Sequence, residues 1–152
     1  MAKEIYRTVV SCEYVSTGGV ALSKSDNRQG VAVVLAPNSN VDDATPKVQK
    51  GVTANTDIYG VLLFLDEGSE RAQVCTDGIV RMKMDSTAGA SATTSMTRRG
   101  VIMTDTANSN GLVKIADEEK GNGQIVAVFS NISLSRYDLL VDLGRHPAQV
   151  TP

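Results

Sequence analysis

Residues 59–84 read YGVLLFLDEGSERAQVCTDGIVRMKM, and the fold class turns on this stretch. Val61, Leu62, Leu63, Phe64 and Leu65 form an apolar run that starts after Gly60 and stops at Asp66-Glu67-Gly68-Ser69-Glu70. An apolar run this short, bounded by turn residues, reads as a buried strand rather than a helix. A mixed strand follows over 72–76, then Asp77-Gly78, then Ile79 to Met84. In that last segment Val80, Met82 and Met84 share one face and Arg81 and Lys83 the other, the period of a strand wet on one side. Asp77-Gly78 has two readings. It is either a hairpin turn, since Asp-Gly suits two residues of positive φ, or a bulge within one long strand. The short flanking segments favour the bulge.

Working outward, the same rhythm recurs. Gly30 opens the strand Val31-Ala32-Val33-Val34-Leu35, which Pro37 closes. Residues 37–50 (PNSNVDDATPKVQK) read as a loop, and 52–58 as a semi-polar lead into the central stretch. Residues 86–97 are small and polar and read as an exposed loop. Strands are expected at Val101-Ile102-Met103 and, after the Asn110-Gly111 turn signal, over 112–116. Ile125 to Phe129 is continuously apolar and predicts a strand buried on both faces. Tyr137 to Leu143 alternates: Tyr137, Leu139, Val141 and Leu143 lie on one side, Asp138, Leu140 and Asp142 on the other. Gly, Ser, Thr, Asn and Asp are spread throughout, so the expectation is an all-β, small single-domain β-barrel or sandwich of roughly eight short strands.

Residues 1–28 are polar apart from one β-like patch, Ile5 to Val10, and read as a first strand or as an extended N-terminal arm. The division expected is 1–28 arm or first strand, 29–144 β-barrel domain, and 145–152 C-terminal tail. If 1–28 is an arm, its removal leaves a folded domain with weakened partner binding.

The chain of 152 residues is long enough for one domain that buries roughly 70% of the surface its unfolded form exposes. Net charge is −2 and the pI about 5.3, without the basic excess that phosphate neutralisation demands, so no nucleic-acid partner is expected. No apolar run approaches the ~18 residues of a membrane helix, so no membrane partner is expected either. The start, MAKEIYRTVV, has no apolar signal core, which points to synthesis in a cytoplasm. Cys12 and Cys75 stand in no metal or redox spacing and read as small buried hydrophobes.

Catalytic and cofactor motifs fall short one by one. Gly18 to Ser25 (GGVALSKS) approaches a phosphate loop, but Ser23 stands where the second glycine belongs and no helical pattern follows. His146 is alone, too few for a histidine triad or multi-histidine site. No serine sits in a nucleophile elbow. The acid pairs Asp42-Asp43, Asp66-Glu67 and Glu118-Glu119 lie in expected loops and read as solvated charges. Asp105, Asn108, Asn110 and Gly111 have the wrong spacing for a calcium loop and lack its closing acid. Asn131-Ile132-Ser133 matches a glycosylation acceptor without a secretory context. No catalytic residue, cofactor or metal site is therefore expected.

The order of features does resemble one family. Glycine-started strands (Gly30-Val31, Gly51-Val52, Gly60-Val61, Gly100-Val101) precede short apolar runs. A V-x-x-x-G-x-V pattern spans Val74 to Val80, a small-residue loop follows, then Gly123-Gln124-Ile125-Val126-Ala127-Val128 and the alternating strand Tyr137 to Leu143. Across about residues 30–143 this resembles the small β-barrel capsid decoration (cement) proteins of tailed bacteriophages. The resemblance implies a non-enzymatic virion protein on the capsid exterior that binds the major capsid protein, often as a homotrimer, and stabilises the expanded head. The partner-binding residues expected are Ile5, Tyr6 and Val9 on the N-terminal segment and Arg98 and Arg99 at the base of the small-residue loop. The alternative is a small-ligand or glycan-binding β-module of a phage tail or fibre, against which stand the 4% aromatic content and the absence of Trp.

Overall fold

A computed structural model of the chain describes residues 4–37, 45–51, 58–66, 68–83, 101–103, 111, 113–115, 123–131 and 136–144. Nine strands occur among them: β1 Ile5–Tyr14, β2 Ala32–Leu35, β3 Lys47–Lys50, β4 Gly60–Asp66, β5 Arg71–Lys83, β6 Val101–Met103, β7 Val113–Ile115, β8 Gln124–Asn131 and β9 Arg136–Asp142. The described residues are mostly β, with a closed five-stranded barrel and extra strands. The barrel runs β1-β3-β2-β4-β5 and closes because β1 also pairs with β5. Strands β9 and β8 extend the sheet from β5, and β6 with β7 forms a separate antiparallel ribbon.

The continuous apolar runs follow from burial on two sides. Val31, Val33, Leu62, Leu65, Ala72, Val74, Val48 and Cys12 pack together in one core, and this is the barrel interior. Ala32, Val34, Val61, Cys75, Val80, Met82, Ile125, Leu139 and Val141 pack in a second core on the other side of the β2-β4-β5 wall. Neighbouring residues of β2 therefore alternate between two dry environments, so no polar residue is needed at either parity.

Strand β5 belongs to both cores, and the irregularity between Cys75 and Gly78 is what permits this. Before it, Val74 faces the barrel and Cys75 the second core; after it, Val80 and Met82 face the second core. The parity changes by one, the effect of an inserted residue. Opposite it, Tyr6 pairs with Gly78, Thr8 with Asp77 and Val9 with Cys75, so β1 and β5 each slip once and the slips cancel. Gly78 has φ +141°, and an added Cβ would overlap the Ile5 carbonyl oxygen. The bulge reading is the one the structure realises, in one 13-residue strand. Past the bulge, Ile79 pairs with Ile5 on one side and with Asp142 on the other.

Several expectations need correction. Residues 47–50 are a strand rather than loop: Val48 is buried in the barrel while β3 pairs parallel with β1 and antiparallel with β2. One apolar residue among Lys47, Gln49 and Lys50 left too little pattern to read. Of the two readings of 1–28, the first strand is the one realised over 5–14, because β1 closes the barrel and contributes Cys12 to its core. Leu22 is buried as well, and Asn27 Oδ1 accepts a hydrogen bond from the Leu65 amide at 2.8 Å. A domain lacking 1–28 would thus lose one wall of its barrel. Strand β8 is the sheet edge, and Val126 beside its bulge is exposed, so the expected burial on both faces does not hold there. Asp138 and Asp142, which alternate with the apolar residues of β9, are both buried. Of the Asn110-Gly111 turn signal only Gly111 lies among the described residues, and it is hydrogen-bonded on both sides. Its N–H donates to the Gly51 carbonyl, its own carbonyl accepts from the Ala32 amide, both at 2.9 Å, and φ is +74°.

Candidate functional site

Beyond Ile79, strand β5 outruns β1, and its free amides need partners. Arg81 N–H donates to Glu4 Oε1 at 2.8 Å and Lys83 N–H donates to the Gly30 carbonyl at 3.0 Å. Strand β4 is served by the same turn, since Arg28 N–H donates to the Leu63 carbonyl at 2.9 Å. The turn at 27–30 is thereby fixed between β4 and the far half of β5. Register shifts at Leu63, between the pairs Leu62–Val74 and Phe64–Gln73, leave the Phe64 ring outside. These constraints build a groove of about 640 Å³ from β1, β4, β5 and the 27–30 turn.

Tyr6, Val9, Leu63 and Phe64 supply its apolar wall, and Arg28 and Arg81 its charge. Tyr6, Val9 and Phe64 are each more than 40% exposed, large apolar surfaces presented by rigid strands. The Tyr6 hydroxyl donates to Glu4 Oε2 at 2.8 Å. Partial burial, and then the Glu4 carboxylate, push the Tyr6 phenol up to about 12, so it remains a donor at neutral pH. Arg81 Nη2 donates to the Arg28 carbonyl at 2.7 Å, and Arg81 Nε lies 3.8 Å from the buried Asp138 Oδ2. Arg28 itself sits at φ +58°, a region that non-glycine residues rarely occupy.

Beside the groove, Arg7 ties the bulge together. It donates from Nε to Asp77 Oδ1 at 3.1 Å and from Nη2 to Asp142 Oδ1, which also accepts from the Gly144 amide. The hydrogen bonds to Asp142 and then Asp77 raise the Arg7 pKa further, so this clamp stays charged. A second, more polar cavity of about 690 Å³ is lined by Glu13, Tyr14, Ser23, Lys47 and Arg71, among others. The Arg71 Nη1 atom there is buried without a hydrogen bond, although it lies 3.4 Å from Glu13 Oε1 as an ion pair.

Of the expected partner-binding residues, the groove brings Tyr6 and Val9 together, and Ile5 is exposed one position before Tyr6 on β1. Arg98 and Arg99 lie outside the described residues, as do His146, Asp42-Asp43, Glu118-Glu119 and the run 86–97. Of the calcium-like set only Gly111 is described. Asp66 caps its own turn, with Oδ1 accepting from the amides of Gly68 and Ser69. In the phosphate-loop-like segment, Lys24–Asp26 is a single 3-10 turn and the Ser23 amide is taken by Asp26 Oδ2 at 2.9 Å. Cys12 and Cys75 are free and buried in different cores. Among the described residues, no group of three metal-ligating side chains comes together, and no helix is long and apolar enough to cross a membrane.

The sequence reading missed Arg28, Arg81 and Phe64 as site residues. Phe64 stood inside an apolar run, and only the β4 bulge turns it outward. No protein-family model matches the chain, and no curated protein matches it.

Proposed function

We propose that this chain is a structural virion protein, a decoration protein that binds the outer surface of the expanded capsid through the major capsid protein and stabilises the head, acting as a trimer. The observation that carries the reading is the groove wall itself: Tyr6, Val9 and Phe64 exposed on barrel strands, with Ile5 alongside. Large apolar and aromatic side chains held at a surface by hydrogen-bonded strands lose little entropy on association, and such residues anchor protein interfaces. The family resemblance supplies the identity of the partner. Clamping across subunit boundaries needs added buried area, on the order of 1,600 Å² for a standard interface, and no reacting group. A trimer would raise the avidity of three such grooves.

The test is copy number in purified particles from the source, by quantitative mass spectrometry of banded virions. Hundreds of copies per particle, comparable with the major capsid protein, support decoration. A handful would move the protein to the tail or portal, and none would remove the virion reading.

A second reading is favoured by the groove's contents. Its volume falls in the range of small-ligand sites, and two of the chain's six aromatic residues, Tyr6 and Phe64, line it. A glycan-binding module of a tail or fibre would use these faces for stacking. A glycan array with the Tyr6→Ala, Phe64→Ala double variant as control decides between the readings.

A further inference from the structure

The proposed docking groove also carries a charge pattern that specifies what it docks. Arg7, Lys50, Arg71 and Arg81 each lie within 4 Å of a carboxylate. Arg28 has no such partner among the described residues, yet it lines the groove and is exposed. The groove's own acid, Glu4, is already engaged at both oxygens, by the Arg81 amide and by the Tyr6 hydroxyl. Arg28 is also held firmly. Its amide donates to Leu63, its carbonyl accepts from Arg81, and its φ of +58° is one that glycine would adopt at lower cost.

From this we infer that the groove takes an extended segment of a partner protein in which an apolar side chain is followed closely by a carboxylate. The apolar side chain lies against Val9, Leu63 and Phe64, and the carboxylate meets the Arg28 guanidinium. The planar fork of arginine matches a carboxylate in two hydrogen bonds, and the neighbouring apolar wall excludes water from one side of the pair. This inference rests on the reading of the groove as a protein-docking site and names the partner's local chemistry.

The experiment uses the full chain, labelled with 15N, and two probes: N-acetyl-Leu-Asp-amide and its uncharged counterpart N-acetyl-Leu-Asn-amide. Amide shifts are followed on titration. The expected result is saturable shifts confined to Tyr6, Val9, Arg28, Phe64, Gln73 and Arg81, with the acid probe binding about two- to fivefold more tightly, the scale of one partly exposed ion pair. Arg28→Gln should erase that ratio while leaving the remaining spectrum in place, and Arg28→Lys should keep part of it. Equal binding of the two probes, shifts elsewhere on the surface, or no shifts at all would overturn the inference. Binding of the wild-type protein to capsid shells lacking it is measured separately. If shells are decorated but the probes show no preference, the charge assignment fails alone; if the probes behave as expected and shells remain bare, the capsid reading fails alone.

Discussion

Gly78→Ala tests the account of barrel closure at its tightest point. The added methyl would overlap the Ile5 carbonyl oxygen and stand 3.0 Å from both the Arg7 nitrogen and the Tyr6 Cα. All three are backbone atoms of β1, so no rotamer change relieves the clash. The φ of +141° is itself a glycine conformation, with a penalty for alanine of about 1–3 kcal/mol. If β1 lifts away at Ile5 and Tyr6, two backbone hydrogen bonds worth about 1 kcal/mol each are lost as well. The sum is about 3–5 kcal/mol, a large share of the ~5–15 kcal/mol that holds a domain of this kind. For a chain of this length that corresponds to a fall in Tm of roughly 10 °C. Urea unfolding followed by circular dichroism gives the free energy, and hydrogen exchange at Ile5 and Tyr6 reports whether β1 has lifted. Gly19→Ala is the control: its Cβ meets nothing within 4 Å, so a change within about 0.5 kcal/mol is expected. A Gly78→Ala protein as stable as the wild type would refute the claim that β1 and β5 are locked by close backbone approach at this residue.

Other consequences are open to direct measurement. Deleting residues 2–14 removes the closing strand and should abolish the cooperative thermal transition; a truncated protein that still melts sharply would return 1–28 to the status of a detachable arm. Arg28→Gly should raise stability by about 0.5 kcal/mol through relief of the left-handed backbone while weakening partner binding, read by urea midpoint and by shell decoration. Burial pushes the Cys12 thiol up to about 11, and the Cys75 thiol and the Tyr59 phenol are raised for the same first reason. Each raised acid favours the folded state below its unfolded pKa and loses that contribution as pH climbs toward the folded value. The urea midpoint should therefore hold up to about pH 8.5 and fall between there and pH 11, beyond the ordinary thiol range. A flat profile across that window contradicts the burial of the two thiols.

The apolar runs of β2 and β4 were legible because a strand dry on both faces carries few polar residues, and β9 was legible from the alternation of apolar and acidic residues along it. Gly78 was legible as a bulge because its flanks were too short for a hairpin. Strand β3 was not, since only Val48 among its four residues faces a core, and its place is set by pairing with Glu13 and Tyr14 rather than by its own composition. The groove was half legible. Tyr6 and Val9 stood out as apolar residues in a polar segment. Phe64 and Arg28 owe their positions to a register slip and to a left-handed turn, which arise from long-range pairing and leave no local signature. The burial of the two acids on β9 was not legible for a related reason: alternation distinguishes the two faces of a strand but does not say whether the polar face meets water or an arginine from another strand. Asp142 meets Arg7, whose position depends on the β1 slip 135 residues earlier in the chain.

The pairing of Ile79 with both Ile5 and Asp142 has a practical consequence for engineering. The start of the first strand and the end of the last lie on either side of one residue, so they stand about two strand spacings, roughly 10 Å, apart. A short glycine-rich linker can bridge that gap without disturbing the sheet. New ends could then be cut in the Asp66–Arg71 turn, where Ser69 and Glu70 are exposed. The same proximity brings the start of β1 and the end of β9 to one place, where Arg7 fastens the two strands together. Such a permuted chain would keep its joined segment beside Ile79 and would carry its new ends, and any cargo fused to them, at the Asp66–Arg71 turn.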